Sequence, residues 1–280
     1  MATQYIDIDR EIENIPLLPV TVNDVMYRIN DDVRDYTMLS NIISKDPALV
    51  SRILIVANSS FYGFSGRING IREACLILGL NTIRHIVFTA GILMRLSTDK
   101  THRFNFDHNE LWHHSIGVGV MAKVFAASVK EDPDSAFTCG LLHDIGELIC
   151  DVYFTGQYAG VMEYCRREQC RVIDAENAVL GCDHCIIGAK VAEKWRLPDN
   201  VISVIQNHHK PSRTSPSPIV DLVHLGDVMI RDVRDEHEWR RKTPDIGQDA
   251  MTRLGITHRD IEAKLPDIKK EMEICEFMQG

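Results

Sequence analysis

Histidines and aspartates recur along this chain in a fixed order: His113-His114, His143-Asp144, Asp183-His184, His208-His209 and Asp227. The central pair lies in the run Leu141-Leu142-His143-Asp144-Ile145-Gly146, an apolar context read as helical. A histidine followed directly by an aspartate offers an imidazole nitrogen and a carboxylate oxygen to a common point. Those ligand types suit zinc, iron, manganese and similar divalent ions. Two residues alone bind no ion tightly, and neighbours in sequence splay around a helix axis. An ion can sit between His143 and Asp144 only where other helices bring His114 and Asp227 to it. The feature therefore favours folds that gather several helices around one point. Taken singly, each member has a plainer account. A buried His-Asp pair can be a structural hydrogen bond, His208-His209 can sit favourably at a helix C-terminus, and Asp227 can be the polar side of an amphipathic helix. The ordered set carries the argument.

A chain of 280 residues holds one large domain or two modest ones with ample core. The formal net charge of −9 argues against a broad phosphate-backbone-binding surface, so no extensive nucleic-acid interface is expected. No apolar run is long enough for a bilayer and no basic-then-apolar leader is present, so the expectation is a cytoplasmic protein without a membrane partner. The eight cysteines lack disulfide-framework spacing and read as small buried hydrophobes in a reducing compartment. Cys182 and Cys185 form a CxxC around Asp183-His184, a minor zinc or redox alternative.

Residues 1–14 are polar and acidic and read as a frayed lead-in. Beyond Pro16 and Pro19, helices are predicted from Thr21 to about Asn30, through Met38–Ile43, and from Asp46-Pro47 to about Asn58, where aspartate caps and proline takes the first turn. Glycines at 63, 66 and 70 mark a loop. A short helix then ends near Gly79 and a longer one reaches about Leu96. A polar hinge (97–107) precedes a helix capped by Asp107, with Glu110 as capping-box partner and four residues from His114. His113 points a quarter-turn away. The next helix is read from Ser135 and carries His143 and Asp144. Further helices cover 156–168, roughly 174–180, 183–195 with Asp183 as cap, 199–209 capped by Asp199, and a stretch through Ile219–Met229 carrying Asp227. No period-two alternation of convincing length occurs, so the class is all-α.

Pro16-Leu17-Leu18-Pro19, Lys45-Asp46-Pro47-Ala48-Leu49, Ala57-Asn58-Ser59-Ser60-Phe61-Tyr62-Gly63 and Ile71…Ala74…Leu78-Gly79-Leu80 resemble the HDOD domain, the HD-related output domain of bacterial signalling proteins. The resemblance spans about residues 12–212, and the His/Asp order resembles the HD superfamily of metal-dependent phosphohydrolases. It implies an HD-like helical bundle (97–234) preceded by an N-terminal helical part (1–96) and followed by a charged helical tail (235–280). It also implies regulatory work, with signalling proteins or a small ligand as partners and a homodimer as a candidate assembly. In a binuclear HD site, Asp144 would bridge two ions and be the catalytic candidate. His114, His143 and Asp227 would complete one ion, and His184 with His208 or His209 the other. Glu110 is a candidate extra ligand. The implied cofactor is one or two divalent ions (Fe, Mn, Zn or Ni).

The chain departs from the HD-GYP phosphodiesterases for cyclic di-GMP. Glu147 stands where they place a lysine, and their Gly-Tyr-Pro signature is replaced by His208-His209-Lys210-Pro211-Ser212-Arg213. A phosphate needs cationic partners beyond metals. Lys210 and Arg213 are the candidate anion-binding residues, with Arg166, Arg167 and Lys190 also near in sequence. The sequence thus points to a regulatory, metal-holding HDOD module, with an active phosphohydrolase as the alternative.

Overall fold

A computed structural model of the chain describes residues 8–29, 36–58, 68–96, 105–211, 217–234 and 247–276. The described residues form helices and the turns between them, without a strand, so the fold is all-α. The chain starts with α1 (Ile8–Asn14), α2 (Val20–Ile29), α3 (Tyr36–Ile43), α4 (Pro47–Ala57) and α5 (Ile71–Leu96). There follow α6 (His108–Ala126), α7 (Pro133–Leu142), α8 (Ile145–Tyr153), α9 (Thr155–Glu168) and α10 (Val172–Val179). The last five are α11 (His184–Lys194), α12 (Asp199–Asn207), α13 (Pro218–Arg234), α14 (Gly247–Leu254) and α15 (His258–Glu276). They group into two compact units, Met1–Leu17 with Thr101–Leu265 and Leu18–Lys100 with Pro266–Gly280. Several sequence expectations fall outside the described residues: the motif positions Ser59 to Gly63, the glycine at 66, Ser212 and Arg213.

In the unit built around Leu18–Lys100, α2, α3 and α4 pack on α5. Asp46 caps α4 as the sequence predicts, its side chain accepting from the Leu49 N–H at 3.1 Å, with Pro47 in the first turn where its missing N–H costs nothing. The predicted break near Gly79 is present. This residue adopts φ 80° and ψ 162°, which divides α5 in two and suits a residue without a Cβ. Asn58 closes the end of α4 onto the start of α5. Its Nδ2 donates to the Ile68 carbonyl at 2.7 Å and its Oδ1 accepts from the Ile68 N–H at 2.9 Å. One amide side chain thus replaces a backbone partner for a residue that is itself buried.

In the unit that contains Thr101–Leu265, α6 lies against α7 and α13, α8 against α9 and α11, and α11 against α12. Asp107 caps α6 by accepting from the Asn109 N–H at 2.8 Å, while Glu110 is exposed in the first turn. α7 starts two residues earlier than Ser135, at Pro133, because Asp132 caps it by accepting from the Ser135 N–H at 2.8 Å. Asp183 caps α11 through the Ile186 N–H at 3.1 Å. Asp199 stands inside the first turn of α12, behind Pro198. The segment entering α6 is tied down by Asp151, a fully buried carboxylate. It accepts from Asn105 Nδ2 at 2.7 Å and lies 2.7 Å from His108 Nε2.

The expected frayed lead-in is corrected from Ile8 on by α1, which packs on α11, while residues 1–7 lie outside the described residues. Ile12 and Ile15 are buried. Lys194 Nζ donates to the carbonyls of Ile12 (2.8 Å) and Glu13 (2.7 Å), and Trp195 Nε1 donates to the Pro16 carbonyl at 3.0 Å. A lysine supplies the partners that the last carbonyls of a helix otherwise lack.

Replacing Asn58 by alanine strips both Ile68 backbone groups of their partner. The expected cost is about 1–3 kcal/mol, read as a lowered urea midpoint, with Asn58→Asp, which keeps only the acceptor, falling between the two.

Candidate metal centre

Six helix ends and faces of one unit deliver the His/Asp set to one place. His114 comes from α6 and Asp227 from α13, while His184 opens α11 and His208-His209 follow the last turn of α12. His143 and Asp144 are not inside a helix as the sequence suggests. α7 ends at Leu142 and α8 starts at Ile145, with Asp144 between them at φ −98° and ψ 17°. The break solves the splay problem, since two neighbouring side chains at a helix junction can face the same point.

The approach of the helices depends on missing side chains. A Cβ on Gly146 would run into the His184 backbone carbonyl, and one on Gly188 would meet Gly146 Cα at 3.1 Å. A Cβ on Gly140 would meet Gly119 Cα at 2.6 Å, so α6 and α7 also cross on glycine.

Asp144 is the hub. Its Oδ2 lies 2.9 Å from His143 Nε2 and 3.9 Å from His114 Nε2. Its Oδ1 lies 3.1 Å from His208 Nε2 and 3.5 Å from His184 Nε2. Asp227 Oδ1 is 3.0 Å from His114 Nε2 and 3.7 Å from His143 Nε2, and its Oδ2 is 3.6 Å from His209 Nδ1. All these residues are buried except His209, which is half-buried. Asp144 Oδ1 and His143 Nε2, though close to charged neighbours, are buried and aligned with no hydrogen-bond partner. Ligands at about 2.1 Å from one ion stand about 3.0–3.4 Å apart at octahedral to tetrahedral angles, close to the shorter separations here.

The far nitrogens of three histidines are tied. His143 Nδ1 lies 2.7 Å from the Gly140 carbonyl, His208 Nδ1 3.0 Å from the Ile205 carbonyl, and His184 Nδ1 2.7 Å from Glu176 Oε2. A partner that only accepts puts the proton on Nδ1 and turns Nε2 towards Asp144, as ligand histidines require.

The electrostatics fit a site whose charge is balanced by protons until a cation replaces them. Burial opposes charge on His143, yet the Asp144 carboxylate outweighs it and raises the ring's pKa from 6.5 to about 9. Burial would raise Asp144, and the His143 and His208 rings instead hold it well below the usual carboxylate range. His184 is raised well above its ordinary value against burial, chiefly by Glu176. Burial, with the charge of His208 and His184, holds His209 well below its ordinary value. Cys185 is lowered against burial by the same two rings.

Three groups of ligand atoms come within 4.8 Å of one another among the described residues: His114, His143, Asp144 and Asp227; His184, Cys185, His208 and His209; and Asp144, Glu147 and His184. Every histidine and aspartate expected as a ligand is in one of them, and Glu110 is in none. His113 is half-buried on α6. Lys210 is exposed, with its charge acting on Asp174.

Sequence reasoning missed Glu176, although the signal was there: it takes an inward helical position among Val172, Ile173, Ala175 and Leu180. Glu176 is fully buried, accepting from Tyr158 Oη at 3.1 Å and from the His184 N–H at 2.9 Å. It also missed His224, whose Nδ1 lies 2.6 Å from the His208 carbonyl and fixes the end of α12 against α13.

An all-α unit holding such a His/Asp cluster is of the HD-like class. The HDOD domain model matches residues 15–211, and the chain belongs to the HDOD domain family. An uncharacterized protein of Treponema pallidum is 27% identical over 231 residues, 79% of this chain and 43% of that protein. Ribonuclease Y of Mycoplasma genitalium is 31% identical over 107 residues, 38% of this chain and 16% of the enzyme. The chain thus spans less than half the length of these curated relatives. Among solved structures, an HDOD domain protein of unknown function from Geobacter sulfurreducens superposes with a TM-score of 0.76 at 24% identity, covering 95% of this chain and 96% of that one. A candidate phosphohydrolase from Shewanella amazonensis gives 0.79 at 21% over all of both chains. A candidate signal transduction protein from Marinobacter aquaeolei gives 0.76 at 20%, covering 95% of this chain and 60% of that one. At these identities the likeness is one of fold.

Two substitutions test the geometry. Gly146→Ala forces backbone against backbone and is expected to cost about 1–3 kcal/mol or more, whereas Gly156→Ala, with open space around it, is neutral or stabilising in the same thermal scan. Glu176→Gln removes the charge behind His184 and is expected to weaken metal affinity by about 10–100-fold, measured by competition with a chromophoric chelator.

Proposed function

We propose that this chain is a cytoplasmic regulatory module of bacterial signal transduction that holds one or two divalent ions at Asp144 and is not a cyclic-di-GMP phosphodiesterase of the HD-GYP type. One observation carries the metal part: histidine Nε2 atoms face both oxygens of a buried carboxylate, and three of those rings are tied at Nδ1. His114, His143, Asp144 and Asp227 would hold one ion, and Asp144, His184, His208 and His209 a second. Imidazole with carboxylate suits Fe, Mn, Zn or Ni.

Two features favour regulation over turnover. Glu147, buried in a group with Asp144 and His184, sets a carboxylate where an anionic substrate would approach. Three of the cations near in sequence are engaged elsewhere: Lys190 with Asp9, Arg167 with Glu168, and Arg166 with the Met162 carbonyl. Likeness in fold to a candidate signal transduction protein is in keeping with this. Its partners would be signalling proteins or a small ligand, with a homodimer as one assembly. The net charge of −9 speaks against a broad nucleic-acid surface.

An active phosphohydrolase is the second reading. It is favoured by a carboxylate that can be shared between two ion positions, since paired ions can hold both the attacking and leaving oxygens of an in-line displacement. The kinship to ribonuclease Y over part of the chain supports it as well.

Elemental analysis of protein purified without chelators or a metal column separates the readings when combined with a phosphatase and phosphodiesterase screen. The expected result is a retained transition metal, lost in Asp144→Ala, with no turnover that depends on Asp144. Asp144-dependent hydrolysis would establish the second reading, and a metal-free wild type would end both.

A further inference from the structure

We propose that Cys185 contributes its sulfur to the second ion position, giving it a donor set of three imidazoles and one thiolate from His184, Cys185, His208 and His209. This rests on the metal-holding reading above and refines it.

The ligand atoms of these four residues lie within 4.8 Å of one another. Cys185 is buried in the first turn of α11, directly after His184, and its Sγ stands 4.0 Å from each ring nitrogen of His208. His209 Nε2 stands 3.1 Å from His184 Nε2. With ion–nitrogen and ion–sulfur bonds of about 2.1 and 2.3 Å, tetrahedral ligands stand about 3.4 Å (N to N) and 3.6 Å (N to S) apart. The 3.1 Å and 4.0 Å separations differ from those by a few tenths of an ångström, within reach of side-chain adjustment. Among the described residues no other cysteine joins a group of ligand atoms. Cys150 and Cys165 are buried in the same unit without doing so, so burial alone does not bring a sulfur here.

The consequence is selectivity. The position formed by His114, His143, Asp144 and Asp227 offers only nitrogen and oxygen, whereas a thiolate biases its neighbour towards softer ions such as zinc and away from magnesium and manganese. The two positions would then differ in the ion they prefer.

The test uses the full chain stripped of metal and reloaded with Co²⁺ alone, read by absorption. The expected spectrum carries a sulfur-to-cobalt charge-transfer band in the near ultraviolet. That band is lost in Cys185→Ser but kept in Cys182→Ser, while the visible d–d bands of nitrogen- and oxygen-bound cobalt persist in both. Bound cobalt without the charge-transfer band, or a band lost only in Cys182→Ser, overturns the thiolate assignment and leaves the metal-holding reading standing. No bound cobalt at all removes the metal-holding reading and the thiolate with it. X-ray absorption on the zinc-loaded wild type guards against a misfolded variant: a sulfur scatterer at about 2.3 Å is expected, and a shell of nitrogen and oxygen only contradicts the proposal.

Discussion

A buried carboxylate with imidazole nitrogens against both its oxygens is costly unless positive charge stays between them. Removing a carboxylate from water costs several kcal/mol even after the protein relaxes. Asp144 is in that position, 3% exposed, with His143 on one oxygen and His208 and His184 on the other. Protons can supply the positive charge, and the raised His143 and His208, both acted on by the Asp144 carboxylate against burial, reflect that. A divalent ion supplies it more economically, because one cation satisfies several of the same lone pairs at once. On the reading proposed above, a cation would complete this set of groups.

The surrounding fold keeps these groups from relaxing away. Backbone carbonyls of Gly140 and Ile205 and the Glu176 carboxylate hold the outer nitrogens of three rings, so the rings cannot swing out to find water. His224 pins the end of α12, and Tyr158 pins Glu176. Glycines at 119, 140, 146 and 188 let the helices come close enough for side chains as short as aspartate to meet. On the regulatory reading proposed above, such a packed frame would carry a small displacement at one ligand into a helix.

Much of this was legible in the sequence because it depends on spacing and on residue chemistry that acts locally. The caps Asp46, Asp107 and Asp183, the break at Gly79 and the order of the ligand pairs all fall in this class. What the sequence hid was set by tertiary packing. Nothing local says that the chain leaves the helix between Leu142 and Ile145, since Gly146 matters through a contact with His184 far along the chain. The docking of α1 was invisible because its stabilising donors come from Lys194 and Trp195. Glu176 showed only its inward helical position, and Cys185 only a CxxC, until folding set them beside His184 and His208. Glu110, read as a capping-box partner and only as a candidate extra ligand, lies exposed and joins no group of ligand atoms.

The central claim is that the Asp144 cluster holds ions where its lone pairs converge. Anomalous diffraction from crystals of the natively purified protein, collected on both sides of the absorption edge of the metal present, tests it directly. The account predicts one or two anomalous peaks within bonding distance of Asp144, flanked by the His114/His143/Asp227 and His184/His208/His209 sets. A well-ordered cluster without an anomalous peak, its histidines joined to the carboxylates by aligned hydrogen bonds, would contradict it.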